Sequence, residues 1–184
     1  MHEPIIDTCC LLNLFASGKP AAILHHFGRV HISELVQGEA IWIREYDNES
    51  PPQLVPKQID LTQCVDDGVI AICRLEQRQE YELFIQFAQQ LDDGEASVLA
   101  IAKVRGWIVA TDDRKAQRIA AEQSISTIST SEMIHAWATS EKVSDQQVGE
   151  LLRNIQLFGR FVPRRSDPLY EWWRQLVEAT RERR

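Results

Sequence analysis

The amino-acid sequence predicts an α/β fold, in which a central and mainly parallel β-sheet is covered by helices on both faces. The chain of 184 residues has 44% hydrophobic and 26% charged residues, a composition typical of a globular protein with one substantial core. Between residues 94 and 128, segments of helical length alternate with short apolar segments of strand length. Such alternation is typical of parallel strands joined by helical connections.

The first third of the chain carries clear start and stop signals. Ser17-Gly18 ends a first helix, Pro20 begins a second, and Ser33 is a favourable N-cap for a third. We extend the third helix to residue 46 because apolar residues recur there at helical spacing. The predicted elements are a strand over 4–6, helices over 9–16 and 20–27, a strand over 29–32, a helix over 33–46 and a surface loop over 47–56.

The rest of the chain is more regular, and Gly106 separates a helix from the strand that follows it. We predict a sheet domain over residues 1–130 and, over 131–184, a C-terminal helical extension that packs on this domain, binds a partner, or both. The predicted elements are strands over 69–75, 107–110 and 124–128, and helices over 79–91, 94–104, 113–121, 131–139, 144–157 and 167–181.

Charge and cysteine content narrow the functional classes. The formal net charge of −7 argues against nucleic-acid binding through a broad basic surface, but leaves room for a local basic rim around an acidic site. None of the four cysteines forms a Cys-x-x-Cys pair, so a zinc site is not expected. We expect a cytoplasmic protein without membrane contact, because no segment resembles a signal peptide or reaches membrane-spanning length.

Five carboxylates at the edges of apolar segments carry most of the functional information: Asp7, Glu39, Glu95, Asp112 and Asp113. In parallel sheets, functional groups gather beyond the carboxyl ends of the strands, and both Asp7 and the Asp112-Asp113 pair directly follow predicted strands. Buried carboxylates are rare without a partner. If these side chains converge, their natural partner is a divalent cation, and two cations suggest phosphodiester chemistry.

Each carboxylate also has a purely structural explanation. Asp7 is a favourable helix N-cap, and Asp112 and Asp113 complement the positive end of the helix that follows them. The spacing of Asp92 and Glu95 is that of a capping box, although Glu95 also shares an apolar helical face.

Glu39 is the acid for which a structural role is hardest to find. In the predicted third helix it lies on the same face as Leu35, Val36, Ala40 and Ile43. A glutamate that faces a core needs a partner or a function.

In these segments the sequence resembles the PIN-domain nucleases over about residues 4 to 130. The Asp-x-Gly-Glu-Ala and Thr-Asp-Asp-Arg segments are together the most specific part of the resemblance. The matching segments are Ile5-Ile6-Asp7-Thr8, Ile32-Ser33 followed by Glu39, Asp92-Asp93-Gly94-Glu95-Ala96 before an alanine-rich helix, and Thr111-Asp112-Asp113-Arg114.

The resemblance implies a three-layer α/β/α sandwich whose acidic cluster binds Mg²⁺ or Mn²⁺ and cleaves RNA. It makes Asp7, Glu39, Glu95 and Asp113 the catalytic residues, and it assigns metal binding to Asp7, Glu95 and Asp112 or Asp113. Many bacterial members resemble the toxins of VapC-type toxin–antitoxin pairs, which implies an antitoxin protein and a homodimer as partners. The chain departs from compact toxins in Cys9, in the longer stretch 47–78 and in the helical extension.

Three other functions compete with the nuclease hypothesis. A non-catalytic PIN-like module would use the long extension for protein binding. A phosphatase of an acidic doubly wound fold would need a second aspartate where Cys9 stands. A phospho-receiver domain would also have acids at strand ends, but would not explain Glu39 and Glu95.

Two groups of basic residues are candidates for contacts with a phosphate backbone, although solvated surface charges would give the same pattern. The Trp172-Trp173 pair is predicted to dock the last helix on the domain or on a partner. The first basic group, near the predicted site edge, is Lys103, Arg105, Arg114, Lys115 and Arg118. The second, in the extension, is Arg164, Arg165, Arg181, Arg183 and Arg184.

Overall fold

The computed structural model describes residues 3–39 and 41–181. The strands are β1 (Pro4–Ile6), β2 (Val30–Ser33), β3 (Trp42–Tyr46), β4 (Leu54–Gln58), β5 (Ile70–Cys73), β6 (Ile108–Ala110) and β7 (Thr127–Ile128). The helices are α1 (Thr8–Ala16), α2 (Pro20–His26), α3 (Glu34–Gly38), α4 (Thr62–Asp66), α5 (Arg78–Phe87), α6 (Asp93–Arg105), α7 (Arg114–Glu122), α8 (Thr130–Ser140), α9 (Asp145–Asn154) and α10 (Tyr170–Arg181). A π-helical turn, Ile155–Gly159, follows α9.

The centre of the fold is a five-stranded sheet in the order β5-β2-β1-β6-β7, and all of its pairings are parallel. In the middle strand, Ile5 pairs with His31 of β2 on one side and with Val109 of β6 on the other. All three residues of β1 are buried, as expected for a parallel strand covered on both faces. The predicted α/β sandwich with a parallel sheet and C-terminal helices is confirmed.

The predicted helix over residues 33–46 is wrong beyond its first turn. Helix α3 ends at Gly38, and the chain continues as β3, which pairs with β4 in a separate antiparallel hairpin. Gly38 is a poor helix former, while the sequence Ile41-Trp42-Ile43 favours a strand. Ala40, one of the residues on the predicted apolar face, lies outside the described residues. The predicted loop over 47–56 is correspondingly shorter, because β4 begins at Leu54.

The C-terminal helices pack into the same hydrophobic core as the sheet. That core extends from Ile5 of β1 to Met133 of α8 and Val177 of α10, and Trp173 is 1% exposed within it. The last helix therefore docks on the rest of the fold through its tryptophan pair, as predicted. The boundary at residue 130 between two domains stays a prediction. Over the described ranges, no helix has both the length and the apolar character that crossing a membrane requires.

Candidate active site

Three of the candidate acids lie at one edge of the sheet because β1 and β6 are parallel neighbours. Asp7 follows β1 directly, and its backbone N–H donates a hydrogen bond of 3.0 Å to the carbonyl of Ala110, the last residue of β6. Asp112 and Asp113 follow β6 after Thr111 alone. The sheet register therefore brings together acids that are more than 100 residues apart in the sequence.

Asp7 is buried with one of its carboxylate oxygens unpartnered. Its Oδ1 atom accepts a hydrogen bond of 2.7 Å from the N–H of Cys10 and so caps α1. Its Oδ2 atom is buried and has no hydrogen-bond partner among the described residues, and the residue is 2% exposed. Burial raises the pKa of Asp7 to about 7, helped by the charges of Asp112 and Glu95 and against the lowering effect of the Thr111 side chain and the Cys10 N–H. Helix capping therefore explains the position of Oδ1 but not that of the buried Oδ2 atom.

Glu95 lies in the first turn of α6, with its side chain free. Asp92 caps the helix by accepting a hydrogen bond of 2.8 Å from the N–H of Glu95. In the part of the chain that the structure describes, the Glu95 carboxylate makes no return hydrogen bond, so only half of a capping box is formed. Burial and the charges of Asp92 and Asp113 raise the pKa of Glu95 to about 7. Helix capping therefore does not explain this side chain.

Glu39 reaches the site by a different route from the predicted one. It follows α3 in an extended conformation and is not part of a helical apolar face. Its Oε2 atom accepts a hydrogen bond of 2.6 Å from the hydroxyl of Thr8, next to Asp7. Its Oε1 atom lies where a Cβ atom on Gly94 would be. Glu39 therefore lies between the start of α1 and the start of α6, beside the other acids.

The adjacent acids Asp112 and Asp113 differ in how many of their oxygens are occupied. Asp112 accepts hydrogen bonds from the Asn13 amide (2.9 Å), from the N–H of Thr130 (3.0 Å) and from the Thr130 hydroxyl. Burial raises the pKa of Asp112, against the lowering effect of these donors. Asp113 caps α7 through Oδ1 alone, which accepts from the N–H groups of Lys115 and Ala116. Its Oδ2 atom makes no hydrogen bond among the described residues.

The acids fit a divalent cation in chemistry but are not arranged as a closed ligand set. Within residues 3–39 and 41–181, no three His, Cys, Asp or Glu side chains form a group that could hold a metal ion as they stand. Hard cations such as Mg²⁺ nevertheless bind carboxylate oxygens, and the orphaned Oδ2 atom of Asp7 is a buried atom of that type. Carboxylate oxygens without a hydrogen bond among the described residues belong to Asp7, Glu95, Asp113 and, through Oε1, Glu39.

A cleft of about 550 Å³ opens beside the acid edge. Residues of α1 and α7, with Asp112 and Asp113, line one side, and the segment of residues 159–168 lines the other. We call the latter the 159–168 segment. Of the five candidate acids, Asp112 and Asp113 line this cleft, so this part of the C-terminal extension borders the Asp112-Asp113 side of the candidate site.

Most of the basic residues predicted to surround the site are engaged elsewhere. Arg105 lies at the opposite edge of the sheet and bonds to the buried Glu80 at 2.7 Å. Lys103 and Lys115 donate to backbone carbonyls, and Arg118 pairs with Glu122. Of this first group, only Arg114 lines the cleft.

In the second basic group, Arg164 lines the cleft and its neighbour Arg165 does not. Arg183 and Arg184 lie outside the described residues. The sequence therefore overestimated the basic rim of the site and did not single out Arg160, which also lines the cleft.

Sequence reasoning missed four residues that shape the site: Thr8, Asn13, Gly94 and Thr130. Asn13 carried a signal, since it is the one polar residue in the apolar run Leu11-Leu12-Asn13-Leu14-Phe15. Thr8 and Gly94 lay within the motifs that were recognised, but as neighbours of acids. Nothing in the sequence pointed to the bond of Thr130 with Asp112, because 18 residues separate them.

Comparison with families of known proteins identifies the family of this chain. No curated protein and no solved structure matches the chain. A family model described as a PIN domain matches residues 3–176, which includes nearly all of the predicted C-terminal extension as well as the sheet. The match covers far more than half of the 184 residues and agrees with the parallel sheet and the acids at its edge. The chain therefore belongs to the PIN-domain family.

Proposed function

We propose that this protein is a divalent-metal-dependent endoribonuclease that hydrolyses phosphodiester bonds of RNA. PIN domains have a nuclease-like fold, and the family assignment supports this class of activity. The observation that carries the proposal is the buried, unpartnered Oδ2 atom of Asp7, close to Glu95 and Asp112. An unpartnered carboxylate oxygen is costly to bury, and a bound cation would offset that cost.

Asp7, Glu95 and Asp113 are the residues that would hold Mg²⁺ or Mn²⁺, because each has a free carboxylate oxygen. When bound, such an ion lowers the pKa of a water molecule and neutralises charge on the phosphate. Glu39, fixed by Thr8, would orient a water molecule or complete a second ion site. Asp112 was also predicted as a ligand, but its three hydrogen bonds suit it better to positioning α1 and α8 around the site.

The test is cleavage of a mixed RNA pool with Mn²⁺ or Mg²⁺ by the wild type, Asp7→Asn and Glu95→Gln. Asn is as good an N-cap as Asp, so Asp7→Asn keeps the helix start and removes the charge. Both variants should lose more than the roughly 10–100-fold that is typical of residues behind the ligands. Glu34→Gln is the matched control, since Glu34 is an exposed acid near Glu39 and outside the cluster.

A second measurement separates the enzyme from a non-catalytic binding module. Mn²⁺ should raise the thermal stability of the wild type, because a ligand that binds only the folded state stabilises it. The increase should be smaller in Asp7→Asn. A wild type that neither cuts RNA nor gains stability from Mn²⁺ or Mg²⁺ would favour the binding module.

The finer prediction is a toxin of a toxin–antitoxin pair, which acts in the cytoplasm as a homodimer restrained by an antitoxin. It rests on the resemblance of the acid segments to VapC-type proteins. Induced expression in bacteria should then arrest growth, and Asp7→Asn should abolish the arrest. Growth unaffected by an active nuclease would reject the toxin role and keep the enzymatic one.

A further inference from the structure

We propose that the cleft between the acid edge and the 159–168 segment binds the single-stranded RNA that flanks the scissile phosphate, with Arg160 and Arg164 contacting backbone phosphates. The inference rests on the proposed ribonuclease activity and assigns it a substrate track. It also gives part of the C-terminal extension a role in substrate binding.

The 159–168 segment is held in place by packing and hydrogen bonds. A Cβ atom on Gly159 would lie 3.1 Å from both Asn13 Oδ1 and the Ala16 side chain, so the segment begins in close contact with α1. Phe161 packs edge-on against the buried Trp173, with ring centroids 5.7 Å apart. The N–H of Asp167 donates to the carbonyl of Arg164 at 2.9 Å. These contacts hold the segment beside the acids.

The arginines that line the cleft are free to bind an anion. Within the described residues, Arg114, Arg160 and Arg164 form no ion pair, whereas the arginines that do, such as Arg105 and Arg174, lie elsewhere. Guanidinium groups recognise phosphate oxygens through paired hydrogen bonds. With a net charge of −7, the protein attracts RNA only where such local positive groups exist.

Four acids also line the cleft, so the attraction is local to the arginines of the 159–168 segment and is not a property of the whole cleft. Glu132 accepts hydrogen bonds from the N–H and hydroxyl of Ser129, and Asp167 accepts one from the N–H of Leu169. Asp112 is bonded as described above. The remaining acid, Asp113, is one that the proposed metal would occupy.

The size and lining of the cleft favour a single strand. Its volume of about 550 Å³ falls within the roughly 300–1,000 Å³ of ligand sites. Val162 is 52% exposed and, with Phe161, gives the wall an apolar surface for bases. Sites for single strands usually combine cationic side chains that contact the backbone with apolar or aromatic contacts for the bases.

The experiment measures binding of a fluorescein-labelled single-stranded RNA by anisotropy in EDTA, where no cleavage occurs, over a range of KCl concentrations. The proteins are the wild type, the double variant Arg160→Gln/Arg164→Gln, and Arg165→Gln. Arg165 is the matched control, because it is exposed in the same segment and does not line the cleft. Thermal unfolding verifies that all three are folded.

The double variant should bind about 10-fold more weakly or worse. Its salt dependence, the slope of log K against log [KCl], should fall by about 1.4, since each phosphate contact to a single strand contributes about 0.7. Arg165→Gln should match the wild type. Equal affinities and slopes in all three proteins, or no binding by the wild type, would overturn the proposal. Duplex RNA bound as tightly as the single strand would overturn the single-strand assignment.

A small chromogenic diester, bis(4-nitrophenyl) phosphate, separates this inference from the proposed function. It has no flanking nucleotides, so with Mn²⁺ the double variant should lose much less of its hydrolysis of this diester than of its cleavage of RNA. Cleavage of RNA that depends on Asp7 but not on Arg160 and Arg164 would keep the nuclease and reject the cleft. Arginine-dependent RNA binding without any hydrolysis would reject the nuclease and keep the cleft.

Discussion

The carboxylate of Glu39 occupies space that exists only because residue 94 is glycine. A Cβ atom on Gly94 would collide with Glu39 Oε1, while Glu39 Oε2 is held by Thr8. Gly94 directly precedes Glu95 in the first turn of α6. One short segment therefore supplies an acid of the cluster and the room for another.

Gly94→Ala should reduce RNA cleavage while leaving the protein stable. The added methyl group displaces the end of a flexible side chain, and Ala favours a helix by roughly 0.5–1 kcal/mol over Gly. We expect a change in unfolding free energy of less than about 1 kcal/mol, measured with urea, and a loss of kcat/KM of about 10–100-fold through the misplaced Glu39. Gly38→Ala is the control, since nothing lies within 4 Å of its added Cβ atom. Unchanged activity in Gly94→Ala would remove Glu39 from the mechanism.

Asp7→Asn should stabilise the metal-free protein at neutral pH and above. Because the pKa of Asp7 is raised from 3.8 to about 7, its contribution to stability is full below pH 3.8 and is lost as the pH rises through about 7. Asn carries no charge at any pH, so the variant should gain over the wild type across this window, by roughly 2–4 kcal/mol at its upper end. Urea unfolding in EDTA from about pH 5 to about pH 8 measures the difference. If the unfolding free energies of the two proteins changed with pH in the same way, ionisation of Asp7 would not destabilise the folded protein.

Arg105→Met should destabilise the fold without changing the active site. Glu80 is fully buried, and although burial alone raises its pKa, hydrogen bonds from Arg105 and from two backbone N–H groups hold the pKa below its usual value. Removal of Arg105 leaves the buried Glu80 carboxylate without its counter-ion and should cost about 3–5 kcal/mol in urea unfolding. Arg78→Met, which breaks an exposed pair with Glu82, should cost less than about 0.5 kcal/mol. A loss below about 1 kcal/mol for Arg105→Met would mean that the pair is not a structural one.

Trp173→Ala should destabilise the whole chain and not just its C-terminal part. The side chain is 1% exposed and belongs to the same core as the sheet, so its truncation should cost about 3–5 kcal/mol. Circular dichroism and tryptophan fluorescence should follow a single unfolding transition in both proteins. Two separate transitions would instead support independent units that meet near residue 130.

The edge of the sheet that carries the acids could be predicted, because it depends on local patterns. Asp7 and Asp112 each follow an apolar strand, and parallel strands end at the same edge whatever the details of packing. The helix beyond Ser33 was mispredicted for an equally local reason. Its apolar residues fit both a helical and an alternating pattern, and pairing of β3 with β4 decides between the two.

The contacts that position the acids could not be predicted, since they join distant parts of the chain. Thr8 and Glu39 are 31 residues apart, and Asn13 and Asp112 are 99 residues apart. Similarly, Lys103 and Arg105 are close in sequence to the acid Glu95, but α6 carries them to the other edge of the sheet. The 13 residues of α6 are long enough to place charges that are close in sequence at opposite edges of the sheet.

Asn13 touches both walls of the cleft. Its amide nitrogen donates to Asp112 on the acid side, and its amide oxygen lies against Gly159 where the opposite wall begins. The Asn13 side chain therefore lies between Asp112 and the start of the 159–168 segment. An uncharged side chain therefore helps to set the distance between the two walls of the cleft.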